Sequence, residues 1–199
     1  MKKFNVEKFV GIAMLAAIVV VLQFVGNFIK FGSSVSVSLV LLPIVVGAVL
    51  YGPSAGAILG AVFGAVIIAG YLSGTVDFLW VANPWLTSFV CILKGAAAGF
   101  VSGYVFKLFT RLIKGKAGSV VGTYVAAIVC PVVNTSVFLL FLVTIFKEPF
   151  LKECANQGIV YYVYIGLVCL NFLFELGVNV ILAPAIVGIT NAIKGSRKR

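Results

Sequence analysis

Apolar residues gather in six long stretches separated by short polar ones, at about 9–29, 37–51, 56–72, 85–106, 119–146 and 159–193. About 20 consecutive apolar residues cross the hydrocarbon core of a bilayer as a helix. The pattern therefore predicts an all-α fold, a six-transmembrane-helix bundle forming one integral membrane domain over 1–199. No small-residue cleavage site follows the first stretch, so it reads as a retained span and not as a signal peptide. Gly52-Pro53-Ser54-Ala55-Gly56 reads as a tight turn between the second and third spans. Gly56, Gly60 and Gly64 repeat every fourth position, which lets two helix backbones approach closely. Pro43 lies in the short second span, Cys130-Pro131 interrupts the fifth, and the sixth bends or ends near Pro184. Between the spans, the alternation at 34–38 suggests a short extended segment, while 72–84 and 147–158 read as loops.

Composition strengthens this reading. The chain is 62% hydrophobic and only 10% charged, where a soluble domain carries about 25%. The net charge of +10 follows the spans rather than forming a nucleic-acid patch. Lys2, Lys3 and Lys8, then Lys107, Arg111, Lys114 and Lys116, then Lys194, Arg197, Lys198 and Arg199 put eleven cations on one side, against Lys30, Lys147 and Lys152 on the other. Positive charge stays on the cytoplasmic face. Both termini are therefore expected in the cytoplasm, and the 1–2, 3–4 and 5–6 connections outside.

Several function classes drop out. There is no histidine, which removes His-based triads, His-type zinc sites and His proton relays. Cys91, Cys130, Cys154 and Cys169 form no Cys-x-x-Cys pair and read as small apolar fillers. No Gly-x-x-x-x-Gly-Lys-Ser/Thr loop is present, so any ATP-driven step needs another subunit. No nucleophile, metal or cofactor constellation emerges, and the reading is of a protein that is not an enzyme.

Two charges remain deep inside spans, Lys94 and Glu175. Such groups are costly in lipid and normally face a bundle interior, a cavity or a partner. Asn171, Glu175 and Asn179 fall at i, i+4 and i+8, which stacks them on one helix face. Lys94 lies about 14 Å down its helix from Trp85, and Glu175 about 24 Å from Ile159, at 1.5 Å per residue. Asn134 in the fifth span is placed to join them. Two readings stay open. One is a Lys94–Glu175 ion pair that ties two helices together. The other is a polar pocket open to the outside, where Lys94 meets an anionic group and Glu175, Asn171, Asn179 and Asn134 take hydroxyls and amides. Trp80, Trp85, Tyr71 and the tyrosines at 161, 162 and 164 surround the presumed mouth. They suit either an interfacial belt or, for the tryptophans, a lid.

The chain resembles the substrate-binding S components of energy-coupling factor (ECF) vitamin transporters of bacteria. The resemblance rests on six spans with both ends inside, on Ala13-x-x-x-Ala17 in the first span, on Leu42-Pro43-Ile44-Val45-Val46-Gly47 followed by Tyr51-Gly52-Pro53-Ser54-Ala55-Gly56, and on Asn83-Pro84. It implies a bacterial plasma-membrane subunit that binds a vitamin from outside. It also implies docking through Ala13 and Ala17 on a transmembrane coupling subunit, powered by two separate ATPases, with the S component tipping in the membrane to release its ligand. Two small residues one turn apart make a flat patch for such close contact. Asn134-Thr135 and the Asn171–Glu175 stretch are most similar to pantothenate-type members, whose span-four cation would here be Lys94. Arg is the more usual residue there. Lys is a point charge where Arg is a bidentate fork, which leaves open a pyridoxine-type vitamin, a folate or a queuosine precursor. The alternatives of another class are a self-sufficient carrier and a purely structural subunit.

Overall fold

The computed structural model describes residues 6–28, 30–31, 35–36, 39–74, 78–156 and 161–196. Asp77, Lys2, Lys3, Arg197, Lys198 and Arg199 lie outside the described residues, as do the side chains of Lys30, Tyr161, Tyr162, Tyr164 and Lys194.

The described chain is helical: α1 Val6–Phe28, α2 Leu41–Tyr51, α3 Pro53–Leu72, α4 Phe78–Ala82, α5 Pro84–Leu112, α6 Lys116–Thr144, α7 Lys147–Asn156 and α8 Tyr161–Ser196. Between α1 and α2, β1 Lys30–Phe31 and β2 Val35–Ser36 pair antiparallel, Lys30 opposite Ser36, so the alternating stretch does hold a short extended segment. Five helices are long and apolar enough to cross a membrane, and α2 is a shorter apolar helix.

Four sequence expectations need correction. The stretches 72–84 and 147–158 are not plain loops, because they hold α4 and α7. Helix α6 runs through Pro131 without a break, and α8 does not end at Pro184 but runs on to Ser196, which leaves a bend as the other alternative there. Neighbouring helices and local adjustment re-satisfy the backbone groups that a proline frees inside a membrane helix. Pro43 is harmless for a different reason: it sits in the first turn of α2, where a missing N–H leaves no hydrogen bond unmade.

The bundle is built around α2 and a seam of glycines. Eight of the eleven α2 residues are buried, and α2 touches α1, α3, α5, α6 and α8. Val40, Leu41, Ile44, Val45 and Val49 meet Leu59 and Phe63 of α3, Ala98 of α5, Ala126 of α6 and Ile186 of α8 in one core. Gly52, at φ +97°, turns the chain from α2 straight into α3, a conformation that side chains with a Cβ rarely adopt.

Helices α3 and α5 then run antiparallel in direct backbone contact. A Cβ on Gly60 would overlap the Gly95 carbonyl, and one on Gly95 would overlap that of Gly60. Gly56 stands against Gly99 in the same way, and Gly64 against the backbone of Cys91 and Ile92. The sequence thus carries two matching ladders, Gly56/60/64 and Gly95/99/103. This seam positions the functional side chain that follows, since Lys94 is the residue next to Gly95.

Candidate ligand-binding site

The seam fixes the height and direction of Lys94. Its ammonium points toward α6 and lies between two aromatic rings, 5.0 Å from the centroid of Phe138 and 5.9 Å from that of Phe63. A ring face attracts a cation at such range, by about 0.5–2 kcal/mol depending on desolvation. Lys94 opens on a small cavity, about 20 Å³ in volume, lined by Tyr71 of α3, Leu79 of α4, Thr87, Val90 and Cys91 of α5, and Phe138, Phe141, Leu142 and Phe146 along and beyond α6. That is room for about one water.

The cavity has a roof. Phe78 and Leu79 of α4 pack with Phe150 and Cys154 of α7 and with Leu142 and Phe146 in a second apolar cluster. The Phe78 and Phe150 rings lie 6.2 Å apart. Helix α4 is tied to α5 by two polar links. The Thr87 hydroxyl donates to the Leu79 carbonyl at 2.7 Å, inside the protein. Asn83 caps α5 by accepting from the Leu86 N–H at 3.1 Å, with Pro84 in the first turn. Trp80 stacks on Tyr71 at 5.2 Å, just behind the cavity wall. Trp85 is 88% exposed and stands away from it.

Glu175 and its asparagines form a polar stripe along α8. Asn171 donates to the Glu175 carboxylate at 3.5 Å, and Asn179 donates to the Glu175 backbone carbonyl at 2.9 Å. Glu175, Asn179 and Asn134 are buried. Lys94, Asn134 and Asn171 each stand ten residues from the end of their helix that lies toward α4 and α7, a common depth of about 15 Å. Lys94 and Glu175 are not in ion-pair contact. Helices four and six of the sequence reading are therefore not held by a contact salt bridge. None of the four α6 and α8 polar residues lines the cavity itself.

The cavity wall contains residues that sequence reasoning passed over: Thr87, Cys91, Phe138 and Phe141. A signal was present. Thr87, Cys91 and Lys94 recur at i, i+4 and i+7, and Asn134, Phe138 and Phe141 repeat that spacing on α6. At the other face of the bundle, Ala13 and Ala17 are exposed on α1, among exposed Val10, Met14, Ile18 and Val21.

A bundle with five helices long and apolar enough to cross a membrane is a multi-pass membrane protein. Residues 7–187 match the family model for the ECF transporter substrate-specific component, and the chain belongs to that family. No curated protein matches the chain. Membership makes it the substrate-specific subunit of a transporter, not a member of an enzyme family. Such a subunit works with a separate energy-coupling module and takes a small-molecule substrate.

Proposed function

We propose that this subunit captures a small vitamin carboxylate, pantothenate first, from outside the bacterial cell and delivers it to an ECF module with two ATPase subunits. The observation that carries the reading is the Lys94 ammonium, which opens on an aromatic cavity and has no carboxylate in ion-pair contact among the described residues. A cation left in that state inside a bundle favours an anionic partner. Lys94 takes the ligand carboxylate. Asn134, Asn171, Glu175 and Asn179 stand at or below the same depth to receive its hydroxyls and amide, and Phe138 and Phe141 cover its apolar part. Trp80, stacked on Tyr71, flanks the entrance, and Trp85 serves as an interfacial anchor instead.

The cavity is too small for a vitamin as it stands, so binding requires the roof of α4 and α7 to lift or the phenylalanines to turn. In this reading α2 completes six crossings, both termini are cytoplasmic, and α4 and α7 face outward. That orientation follows the eleven-to-three distribution of basic residues. Ala13 and Ala17 form the patch that docks on the coupling subunit.

Mass spectrometry of small molecules that copurify with the solubilised protein tests the ligand directly. Pantothenate is the expected species. A pyridoxine-type vitamin, a folate or a queuosine precursor would move the substrate while keeping the class, an outcome for which the point charge of Lys94 leaves room. Lys94→Met is expected to insert and purify normally and to lose at least about 100-fold in affinity, the scale of one buried charge-assisted contact. Unchanged affinity in that variant removes Lys94 from the site. Transport by the purified chain alone in liposomes would replace this reading with a self-sufficient carrier.

A further inference from the structure

The joint between α4 and α5 is a single residue. Helix α4 ends at Ala82 and Pro84 opens α5, so only Asn83 stands extended between them, at φ −159° and ψ 98°. A proline holds the residue before it in such a conformation. The backbone bonds at the joint all meet at Asn83: its N–H donates to the Leu79 carbonyl at 3.1 Å, and its carbonyl accepts from the Thr87 N–H at 3.0 Å. The bond that spans the joint runs from the Thr87 hydroxyl to the Leu79 carbonyl, at 2.7 Å and buried. It departs from the pattern of the other helical hydroxyls. Ser88, Thr110, Thr123, Thr144 and Thr190 each donate to the carbonyl four residues back on their own helix. Thr87 reaches eight residues back, into another helix, and Thr87 and Leu79 both line the Lys94 cavity.

We propose that the Thr87 hydroxyl is the latch that positions α4 over the ligand site, switching between the Leu79 carbonyl with the roof down and the Asn83 carbonyl with the roof lifted. The inference rests on the function proposed above only for what the roof admits. Bonded to Leu79, the hydroxyl sets the angle at Asn83 and keeps the cavity at about 20 Å³, room for about one water. Turned about χ1 to the carbonyl four residues back, where the other hydroxyls go, it lets α4 swing at Asn83. Neither position strands a buried group. The Leu79 carbonyl keeps the Asn83 N–H when the hydroxyl leaves, and the hydroxyl stays paired. The two positions are unequal. A back-bond shares a carbonyl already taken by a helical N–H and slightly strains the helix, so the bond to Leu79 wins while the two helices are in reach. The apolar packing of α4 on α7 cannot set the angle in this way, because hydrophobic attraction has no direction. Thr87 is thus a positioning residue that acts on the ligand through α4.

The test reads the roof without a ligand, using the full chain in nanodiscs and the cysteines it already has. Cys91 lines the cavity, Cys130 is buried in the main core and Cys169 is exposed. The probe is 2-sulfonatoethyl methanethiosulfonate, an anionic thiol reagent much larger than the cavity. Cys91 therefore reacts only while α4 stands open, at a rate that tracks the open population. Peptide mass spectrometry follows each thiol, with Cys169 as the measure of reagent activity. Thr87→Val loses the bond and sets a methyl where the oxygen met the Leu79 carbonyl. It is expected to speed Cys91 about fivefold, the scale of one net hydrogen bond. Thr87→Ser keeps the hydroxyl and is expected to bring the rate back to within about twofold of wild type. Thr87→Ala removes the hydroxyl without the added methyl and gives the same direction should the valine variant fold poorly. Equal Cys91 rates in all these proteins, zero included, overturn the latch. So does a rise that Cys130 shares, which marks general loosening. Association of pantothenate with Thr87→Val is expected to quicken by the same factor. A Cys91 response to the loss of the hydroxyl, with no vitamin bound by the wild-type protein, would sink the function proposed above and leave the latch standing. Pantothenate binding with Cys91 rates that do not differ would do the reverse.

Discussion

Helices α1 and α2 read almost alike in the sequence and do opposite things in the structure. Both are apolar end to end. Yet only 6% of the most apolar stretch of α1 is buried, and that stretch is the most hydropathic of the five candidate spans. In α2, by contrast, the side chains of Leu41, Ile44 and Val45 are fully enclosed. In water an exposed apolar helix would be unstable. In a bilayer lipid solvates it as well as protein does, so hydropathy reports contact with lipid and says nothing about the core. What separates the two helices is length and company. Helix α2 has eleven residues, too few to cross without neighbours around it, and its turn at Gly52 binds it to α3. Helix α1 is long enough to cross unaided, and it presents the small residues Ala13 and Ala17 on its open side.

The contrast can be pressed by adding or removing side-chain volume on each side of it. The largest effect is expected where burial is extreme. Gly60→Leu would drive a side chain into the Gly95 carbonyl, and the α3–α5 seam has no side chains that can yield. The expected result is loss of folded, monodisperse protein on size-exclusion chromatography. A well-behaved Gly60→Leu protein would mean that the seam is not as close as described. Next comes Ile44→Ala at the centre of α2. In lipid the transfer part of the usual cost shrinks while the packing part remains, leaving about 2 kcal/mol and a fall in Tm of about 4–8 °C. A fall under 1 °C would equate α2 with α1 and dissolve the contrast. The smallest effect on the fold is expected for Ala13→Trp with Ala17→Trp, where melting and ligand affinity stay at wild-type values. Uptake by the assembled transporter should nevertheless be lost, because the bulky pair removes the flat patch. Normal uptake in the double variant would take docking away from this face.

The same contrast explains how much of the molecule was legible beforehand. The spans stood out because a helix must be long and apolar to cross lipid, and their bounds moved by only a few residues. Helices α4 and α7 did not stand out. Phe78–Ala82 is too short to show a period. In Lys147–Asn156 the buried pair Phe150 and Cys154 lies at i and i+4 but is masked by four charged neighbours. At the site, Lys94 and Glu175 were conspicuous because charge is rare in spans. Phe138 and Phe141 were not, since an aromatic residue that lines a cavity looks the same in sequence as one that faces lipid. The continuity of α6 and α8 through their prolines was also out of reach. It depends on which neighbours meet the freed carbonyls, and that is a tertiary property.

The glycine seam has a consequence for motion. Glycine has no rotamers, so bringing α3 and α5 together freezes no side-chain freedom. The backbone freedom that glycine surrenders is already gone once each helix has formed in the bilayer. At those glycines the pair is held by backbone contact, with no rotamer there that can hop between alternative packings. Lys94 rides on that stiff plank, whereas the roof of α4 and α7 is packed through side chains that have other rotamers open to them. In the binding proposed above, whatever rearrangement admits a ligand has its fixed reference in α3 and α5, and Lys94 belongs to the part that does not move.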